Sequence, residues 1–301
     1  MQQYTLDTID LREPLIPAYG AGVDSTAMLI GLVKRRVQIP LILFANTGSE
    51  KPETLAYIPI MSRWLEAHGY PPVTVVAYKG NHDRYTSLHG ACISNKVMPS
   101  LAYGGKSCSM KFKGEVQEGF LQGKSRGPNK GDGYPAAVEA WERGLKVVRA
   151  IGYDAGAKDA RRSSIAESSR YRFIYPLREW GWDRLACMQA ILAEGLPLPV
   201  KSACFMCPAS KPQELIWLHA HHPDLFMQAL EIEEISRPRF TTVEGLWRKS
   251  TKSRPGSWVA WAIAEGLVRR ELDGTLKLIP HTGPLPAHPD DELIKLAALA
   301  A

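Results

Sequence analysis

The chain has 301 residues, a net charge of +6 and an isoelectric point near 9.0; 45% of its residues are hydrophobic and 23% are charged. These proportions are ordinary for a folded, soluble protein. No run of eighteen apolar residues predicts a membrane span, and residues 1–12 lack the pattern of a secretion signal, so we expect a cytoplasmic protein with no membrane partner. The positive charge favours anionic ligands such as a nucleotide, and it also fits nucleic acid.

The stretch from residue 15 to residue 36 carries the main functional signal. An apolar run leads into a small-residue turn at residues 20–22, and a helical pattern with Asp24 at its start follows. Glycines let backbone amides approach an anion, and a helix N-terminus adds free N–H groups and a positive dipole end, so this arrangement predicts a phosphate cradle. Ser25 and Thr26 add hydroxyls at the same point. The alternative is a plain turn in which Asp24 only caps the helix.

A second apolar run, residues 41–45, ends at Asn46, Thr47 and Gly48. Strand, helix and strand at this spacing predict a parallel sheet with right-handed crossovers. Ligands of such sheets bind beyond the carboxyl ends of the strands. We therefore expect residues 20–25 and 46–48 to face one pocket.

Four segments resemble one known family. Residues 19–25 resemble the SGGxDS loop of the N-type (PP-loop) ATP pyrophosphatases, and residues 44–54 resemble the DTG…PET segment of the PAPS reductase-like proteins in that superfamily. Residues 106–113 are similar to the family's cysteine and basic cluster, and residues 152–162 to its G(I/Y)RADE…RR element. The segments also occur in the family order. No Gly-Lys-Ser or Gly-Lys-Thr ending of a Walker loop is present.

The resemblance implies an α/β fold of the HUP-like type, with a parallel twisted sheet and helices on both faces, that binds ATP with Mg²⁺. Members with the Asp-Ser pair cut ATP between the α and β phosphates and adenylate a substrate. The residues that the resemblance assigns to nucleotide binding are Tyr19, Gly20, Ala21, Gly22, Val23, Asp24, Ser25, Thr26, Asn46, Thr47, Gly48, Gly152, Tyr153 and Asp154. Those it assigns to catalysis are Asp24, Ser25, Arg161 and Arg162.

Periodicity places the remaining elements. Further strands are predicted at residues 73–77, 146–151 and 171–180, and helices at 52–68, 135–143, 182–194, 212–235 and 257–266. Pro59 should kink or break the helix that contains it. Residues 123–134, rich in glycine and basic residues, predict a mobile loop, and residues 279–289 predict a proline-rich arm. We expect a nucleotide-binding domain at residues 1–200 and a helical region with a cysteine site at 201–301.

Five cysteines in a cytosolic chain indicate metal or redox chemistry rather than a disulfide framework. Cys204 and Cys207 form a two-ligand clip that Cys92 and Cys108 are able to complete, whereas Cys187 sits in a helical pattern with apolar neighbours and is predicted to be core. The resemblance favours a 4Fe-4S cluster on these four cysteines, or on three of them if Cys92 stands aside, and zinc is the alternative. Buried, inert thiols are the remaining interpretation. His219, His221 and His222 miss zinc-finger spacing and are expected at a surface or helix end.

The cysteine set also bears on the reaction. Sulfonucleotide reductases use a cysteine near the C-terminus, and none follows Cys207 here, so reduction of PAPS or APS is the weaker alternative. The preferred hypothesis is an ATP pyrophosphatase that adenylates a substrate for sulfur transfer, with tRNA or DNA as a possible acceptor and a protein as a possible sulfur donor. A third alternative is a non-catalytic nucleotide-binding partner or sensor with a structural cluster.

Two basic regions could hold nucleic acid, or could simply be solvated faces that attract ATP. One region contains Lys111, Lys113, Lys124, Arg126 and Lys130. The other contains Arg248, Lys249, Lys252 and Arg254 with Trp247 and Trp258.

Overall fold

The computed structural model describes residues 5–79, 84–124, 133–160, 162 and 164–287. The strands are β1 (Ala18–Tyr19), β2 (Ile42–Asn46), β3 (Val73–Ala77), β4 (Val147–Ala150), β5 (Tyr171–Ile174), β6 (Val268–Arg270) and β7 (Leu276–Leu278). The helices are α1 (Val23–Lys34), α2 (Pro52–Ala67), α3 (Leu88–Asn95), α4 (Ser107–Ser109), α5 (Glu115–Leu121), α6 (Pro135–Glu142), α7 (Ala157–Ala160), α8 (Pro176–Glu179), α9 (Arg184–Leu192), α10 (Pro212–His221), α11 (Pro223–Ser236) and α12 (Trp258–Ala264).

The first five strands form one parallel arrangement. β1 pairs with β2, β2 with β3, and β4 with β5, all parallel. The segment that leads into β1 joins the two sets, because Ile16 N donates to Val148 O (2.8 Å) and Val148 N donates to Pro14 O (3.0 Å). The spatial order is therefore β3-β2-β1-β4-β5, and the direction of strand succession reverses between β1 and β4. Such a reversal opens a crevice at the carboxyl ends of the two strands.

Both faces of this sheet are covered. Ile42 and Phe44 pack with α1, α2 and α9 on one side, whereas Leu43 and Ala45 pack with α5 and α6 on the other. A strand that is buried on both faces reads as a continuous apolar run, which explains the run at residues 41–45. The predicted α/β class, with a parallel sheet and helices on both faces, is confirmed.

Proline positions account for three differences from the predicted elements. Helix α2 remains one helix across Pro59, so Pro59 does not break it, and the kink there stays a prediction. The fifth strand ends at Ile174 because Pro176 opens α8. The single helix predicted at residues 212–235 is two helices, since His222 leaves the helical conformation (φ −139°, ψ 64°) and Pro223 starts α11.

A second hydrophobic core forms away from the sheet. It draws on residues 88–112, which contain α3 and α4, and on residues 205–268, which contain α10, α11 and α12. We call these two stretches together the helical region. The hairpin of β6 and β7, which periodicity did not reveal, flanks it. The helical region thus contains residues on both sides of the expected boundary at residue 200, and that boundary stays a prediction.

Helical length and hydropathy give no membrane span in the described ranges. The loop predicted at residues 123–134 lies largely outside them, as do Arg126 and Lys130. The tail is irregular as far as residue 287, where the description ends.

Candidate functional site

The glycine turn after β1 gathers its amides around one hydroxyl. Gly20 N and Gly22 N both donate to Ser25 Oγ, at 3.1 and 3.3 Å, and Ser25 Oγ donates to Gly22 O. Ala21 adopts a left-handed conformation (φ 53°), which a non-glycine residue rarely takes and which turns these amides inward. Converging backbone N–H groups at a helix start form an anion-binding nest. The geometry fits the predicted phosphate cradle.

Two glycines permit close approach at this nest. A Cβ at Gly152, just beyond β4, would lie 3.0 Å from both N and Cα of Ser25, so the β4 end contacts the first turn of α1 directly. A Cβ at Gly22 would lie 2.5 Å from Ser202 Oγ, a residue of the segment that delivers the cysteine clip. The loop therefore touches both the neighbouring strand end and the chain ahead of Cys204.

An arginine of α9 pairs with Asp24 at the start of α1. Asp24 Oδ1 accepts from Arg184 Nη1 of α9 at 2.9 Å. Burial raises the pKa of Asp24, and the nearby carboxylates of Asp154 and Asp159 raise it further, against the opposing effect of Arg184. Asp154 is itself buried and accepts from Gly156 N (2.9 Å). The loop therefore has a cluster of carboxylates in which Arg184 pairs with Asp24 and Arg162 with Asp159. Sequence reasoning missed Arg184 because it lies 160 residues from Asp24.

The end of β2 lies beside the cysteine clip. Gly48 takes a left-handed conformation (φ 67°) with its N–H donated to Asn46 Oδ1, which fixes the turn. Thr47 is buried, donates to Glu50 Oε1 (3.0 Å) and lies 3.4 Å from Cys204 Sγ. Phe205 N donates to Ser49 O. The segment predicted to hold the nucleotide thus also supports the cysteines.

Glu50 forms a second contact at this junction. Its side chain is fully buried, with Lys113 Nζ 3.5 Å from Oε1, and Oε2 has no hydrogen-bond partner. Lys113 therefore brings a positive charge next to Cys204 from the π-helical turn Met110–Gly114 that joins α4 to α5.

Three of the four predicted metal-binding cysteines share a cavity. Cys108, Cys204 and Cys207 line a space of about 340 Å³ that is also lined by Thr47, Ser202 and Arg162. Cys92 is buried and is not among the lining residues, so the three-cysteine arrangement describes the cavity better than the four-cysteine one. Cys187 is fully buried in the sheet core, as predicted. Ser202 lines the cavity and contacts Gly22, so it links the cavity to the glycine turn.

The donor chemistry of this cavity fits a thiolate-bound metal group, although no group of three or more His, Cys, Asp or Glu side chains in the described ranges is already arranged around a metal position. Burial raises the pKa of Cys204 to about 12, and it also raises the pKa of Cys207. Burial and the nearby Cys108 raise the pKa of Cys92 to about 12. These thiols are therefore protonated near neutral pH, and binding a metal would release their protons.

Arg162 also lines the cavity, pairs with Asp159 (3.0 Å) and lies over the ring of Tyr153 (4.9 Å). Its predicted companion Arg161 lies outside the described residues. The side chains of Tyr19, Val23 and Thr26 are buried, so any contact that these residues make to a ligand is through the backbone. The other predicted nucleotide-binding residues meet where β1, β2 and β4 end.

The remaining predictions have mixed outcomes. Trp247 and Trp258 are buried in the helical region, so they cannot stack on nucleic acid. His219 is buried with Nε2 2.8 Å from Ile279 O, which corrects the expectation of a surface position. His221 lies at the end of α10, and His222 pairs with Glu53 (2.6 Å).

The sequence matches no protein-family model and no curated protein. Among solved structures the chain is similar to the U34-tRNA thiolase NcsA from Methanococcus maripaludis with its 4Fe-4S cluster. The similarity covers 85% of this chain and 84% of that one, at 15% sequence identity and a TM-score of 0.41. The α/β fold follows from the strand order and packing of this chain alone.

Proposed function

We propose that the protein is a PP-loop ATP pyrophosphatase, similar to the PAPS reductase-like proteins, that adenylates a substrate oxygen in preparation for sulfur transfer, with a nucleic acid as the acceptor. One observation carries the proposal: the amides of Gly20 and Gly22 converge at the start of α1, and Ser202 connects that nest to a cavity lined by three cysteines. An anion site in contact with a thiol site suits a reaction in which ATP activates the acceptor and sulfur is then delivered to that acceptor.

In the proposed reaction an acceptor oxygen attacks the α-phosphorus of ATP. The bond from that phosphorus to the oxygen bridging to the β-phosphate breaks, and pyrophosphate leaves. A sulfide sulfur from a donor then attacks the adenylated carbon of the acceptor, so that a C–S bond forms, the C–O bond to the phosphate breaks and AMP leaves. Donors aimed at the charge that develops on the leaving phosphates lower the barrier most effectively when they are already in place.

The chain supplies these donors from the loop and from the β4 side. The Gly20 and Gly22 amides bind the pyrophosphate, and the Ser25 hydroxyl, now their acceptor, is the group that phosphate oxygens replace. Arg162 offsets charge from the cavity side. Asp24 orients the first turn of α1. It is also the carboxylate nearest in sequence to the Gly20 and Gly22 amides, and it would bind a Mg²⁺ ion that accompanies the phosphates.

Cys108, Cys204 and Cys207 are the residues that would hold a 4Fe-4S cluster, or zinc as the alternative. A bound cluster would supply a Lewis-acidic iron able to carry a sulfur atom. The chain's own part is to exclude water and to keep the three thiols beside the acceptor, with Thr47 and Lys113 supporting Cys204.

The test measures ATP binding by calorimetry and release of AMP and pyrophosphate with Mg²⁺. We expect Asp24→Ala to lower turnover about 100-fold, the loss typical for removing one preorganised charged group. Glu139→Gln, which removes only an exposed ion pair with Arg143 on α6, should leave turnover unchanged. Absence of ATP binding, or full turnover in Asp24→Ala, would contradict the proposal.

The metal is tested separately by anaerobic purification followed by iron, sulfide and zinc analysis. We expect iron and sulfide that are lost in Cys108→Ser, Cys204→Ser and Cys207→Ser but kept in Cys187→Ser. Iron that depends equally on Cys187 would contradict a site at the cavity.

A further inference from the structure

Exposed side chains lie at one edge of the cavity, and we call four of them the rim: Leu101, Tyr103, Lys106 and Arg248. Leu101 and Lys106 line the cavity with Gly105 and Cys108. Tyr103 directly precedes Gly104 in the chain, and Arg248 contacts Gly104, so both lie next to the cavity wall at Gly105.

The rim is held in place by the chain beneath it. Ser100 is the anchor: its O accepts from Gly105 N (2.9 Å), and its Oγ accepts from Cys108 N (3.0 Å). The Tyr103 hydroxyl accepts from Met98 N (3.3 Å), which fixes the ring at the surface with 39% of the residue exposed. The rim is therefore tied directly to a cysteine of the site.

Arg248 reaches the rim from a part of the chain distant in sequence. A Cβ at Gly104 would lie 2.8 Å from Arg248 Nη1, so the guanidinium rests against that glycine. Arg248 takes a left-handed conformation (φ 69°), fixed by its N–H to Gly245 O and by Glu244 N to its own carbonyl. These bonds offset the backbone strain of a non-glycine residue here, and they hold the guanidinium against Gly104, the neighbour of the cavity-lining Gly105.

The charge on the rim is not neutralised. Within the described ranges neither Lys106 nor Arg248 has a carboxylate partner at ion-pair distance. Two cations near an exposed aromatic ring match a phosphate backbone with bases between the phosphates, since every base has a face that stacks on an aromatic side chain. A base inside a duplex hides its reactive atoms, whereas an unpaired base can enter a cavity.

We propose that this rim binds a single-stranded polynucleotide, with phosphates on Lys106 and Arg248 and a base on Tyr103, so that the next base enters the cysteine cavity. This proposal rests on the proposed function, in which a nucleic acid is the acceptor. It specifies that the acceptor nucleotides are unpaired rather than part of a duplex. RNA and DNA share this chemistry, and the test separates them.

The experiment measures fluorescence anisotropy of labelled 15-nucleotide RNA, the same DNA sequence and its duplex, across a series of salt concentrations and without ATP. For the double variant Lys106→Gln/Arg248→Gln we expect affinity for the single strand to fall at least about tenfold, with a salt dependence weaker by about two phosphate contacts. Arg63→Gln/Lys277→Gln removes the same charge from exposed positions on α2 and β7, outside the rim, and should change affinity less than about twofold.

Tyr103 gives an independent readout. Tyr103→Ala should weaken binding about five- to tenfold or more through loss of stacking, and Tyr103→Phe, which keeps the ring but loses the hydroxyl contact, should retain most of it. Equal losses in the rim and control double variants, equal affinity for duplex and single strand, or unchanged binding in Tyr103→Ala would overturn the proposal. Preference for RNA or for DNA identifies the source. Calorimetry of ATP binding by the rim variants reports on the proposed function alone, so the two failures are distinguishable.

Discussion

The α/β region and the helical region build their hydrophobic cores in different ways. The sheet core buries mainly aliphatic side chains contributed by consecutive strand and helix units. The helical region joins residues 88–112 to residues 205–268, buries four tryptophans, and contains the buried carboxyl group of Glu233. The α/β region also buries charged side chains, such as Glu13 and Arg149, and these bond to other side chains, whereas Glu233 accepts mainly from backbone N–H groups. The candidate site lies where the two regions touch.

The largest expected effect removes the polar anchor of the helical region. Glu233 is fully buried and accepts from the backbone N–H groups of Leu246 (2.8 Å), Trp258 (2.9 Å) and Val259 (3.0 Å) and from the Ser257 hydroxyl. Because Glu233→Ala strands these buried donors, we expect a loss of about 3–5 kcal/mol in unfolding free energy, measured by chemical denaturation.

The neighbouring residue is the control for this change. Glu234 makes partly exposed ion pairs with Arg237 and Arg270, so Glu234→Ala should cost less than about 1 kcal/mol. Unfolding of the helical region before the sheet, followed by hydrogen exchange of the backbone amides in each region, would sharpen the contrast between the regions. Equal costs for the two substitutions would remove it.

An intermediate effect is expected where the regions touch. Gly22 has an ordinary extended backbone (φ −116°), so an alanine there is resisted only by Ser202, whose Oγ lies 2.5 Å from the position of the new Cβ. We expect Gly22→Ala to cost about 1–3 kcal/mol and to lower ATP turnover more than tenfold. Adding Ser202→Gly should restore most of both, and failure of this rescue would show that the Ser202 contact does not connect the regions.

The smallest expected effect concerns the charge inside the α/β region. Burial raises the pKa of Asp24, so the folded protein holds this proton more tightly than the unfolded chain does. The ionised form therefore costs stability above the unfolded pKa of about 3.8, and the cost reaches its full value above the folded pKa. We expect Asp24→Asn to melt about 2 °C higher than the wild type at pH 7, with the gain disappearing as the pH falls towards 4.

Thermal melts between pH 4 and pH 8 provide the measurement. Asp10→Asn is the matched control, because Arg12 lowers the pKa of exposed Asp10 to about 2 and its removal should bring no gain. An Asp24→Asn variant that is less stable than wild type at pH 7 would mean that the Arg184 ion pair outweighs the cost of burial.

How far the sequence predicts the site depends on how local each part is. The turn at residues 20–25 was predictable, since small residues followed by a helix start determine its conformation over a few residues. Strand β3 was predicted with its observed bounds. Arg184 and Ser202 were not assigned to the loop, because nothing near either residue in the sequence records that it meets Asp24 or Gly22. Arg248 was placed in a basic region but not beside Gly104, for the same reason.

Burial decided the aromatic residues in the same way. A tryptophan among basic residues has one appearance in a sequence, whether it packs inside or stacks on a ligand, and Trp247 and Trp258 pack inside. The sequence did not single out Tyr103, which is an exposed ring close to the cavity-lining Gly105 in the chain.

The sequence by itself determined the α/β class, the glycine turn at residues 20–22 and the cysteine clip, because hydrophobic period, glycine content and short spacings act within a few residues. The tertiary structure decided which cysteines share a cavity, which cation pairs with Asp24 and which exposed cations lie beside the cavity. Those outcomes depend on contacts between segments up to 160 residues apart, and only packing of the whole chain fixes such distances.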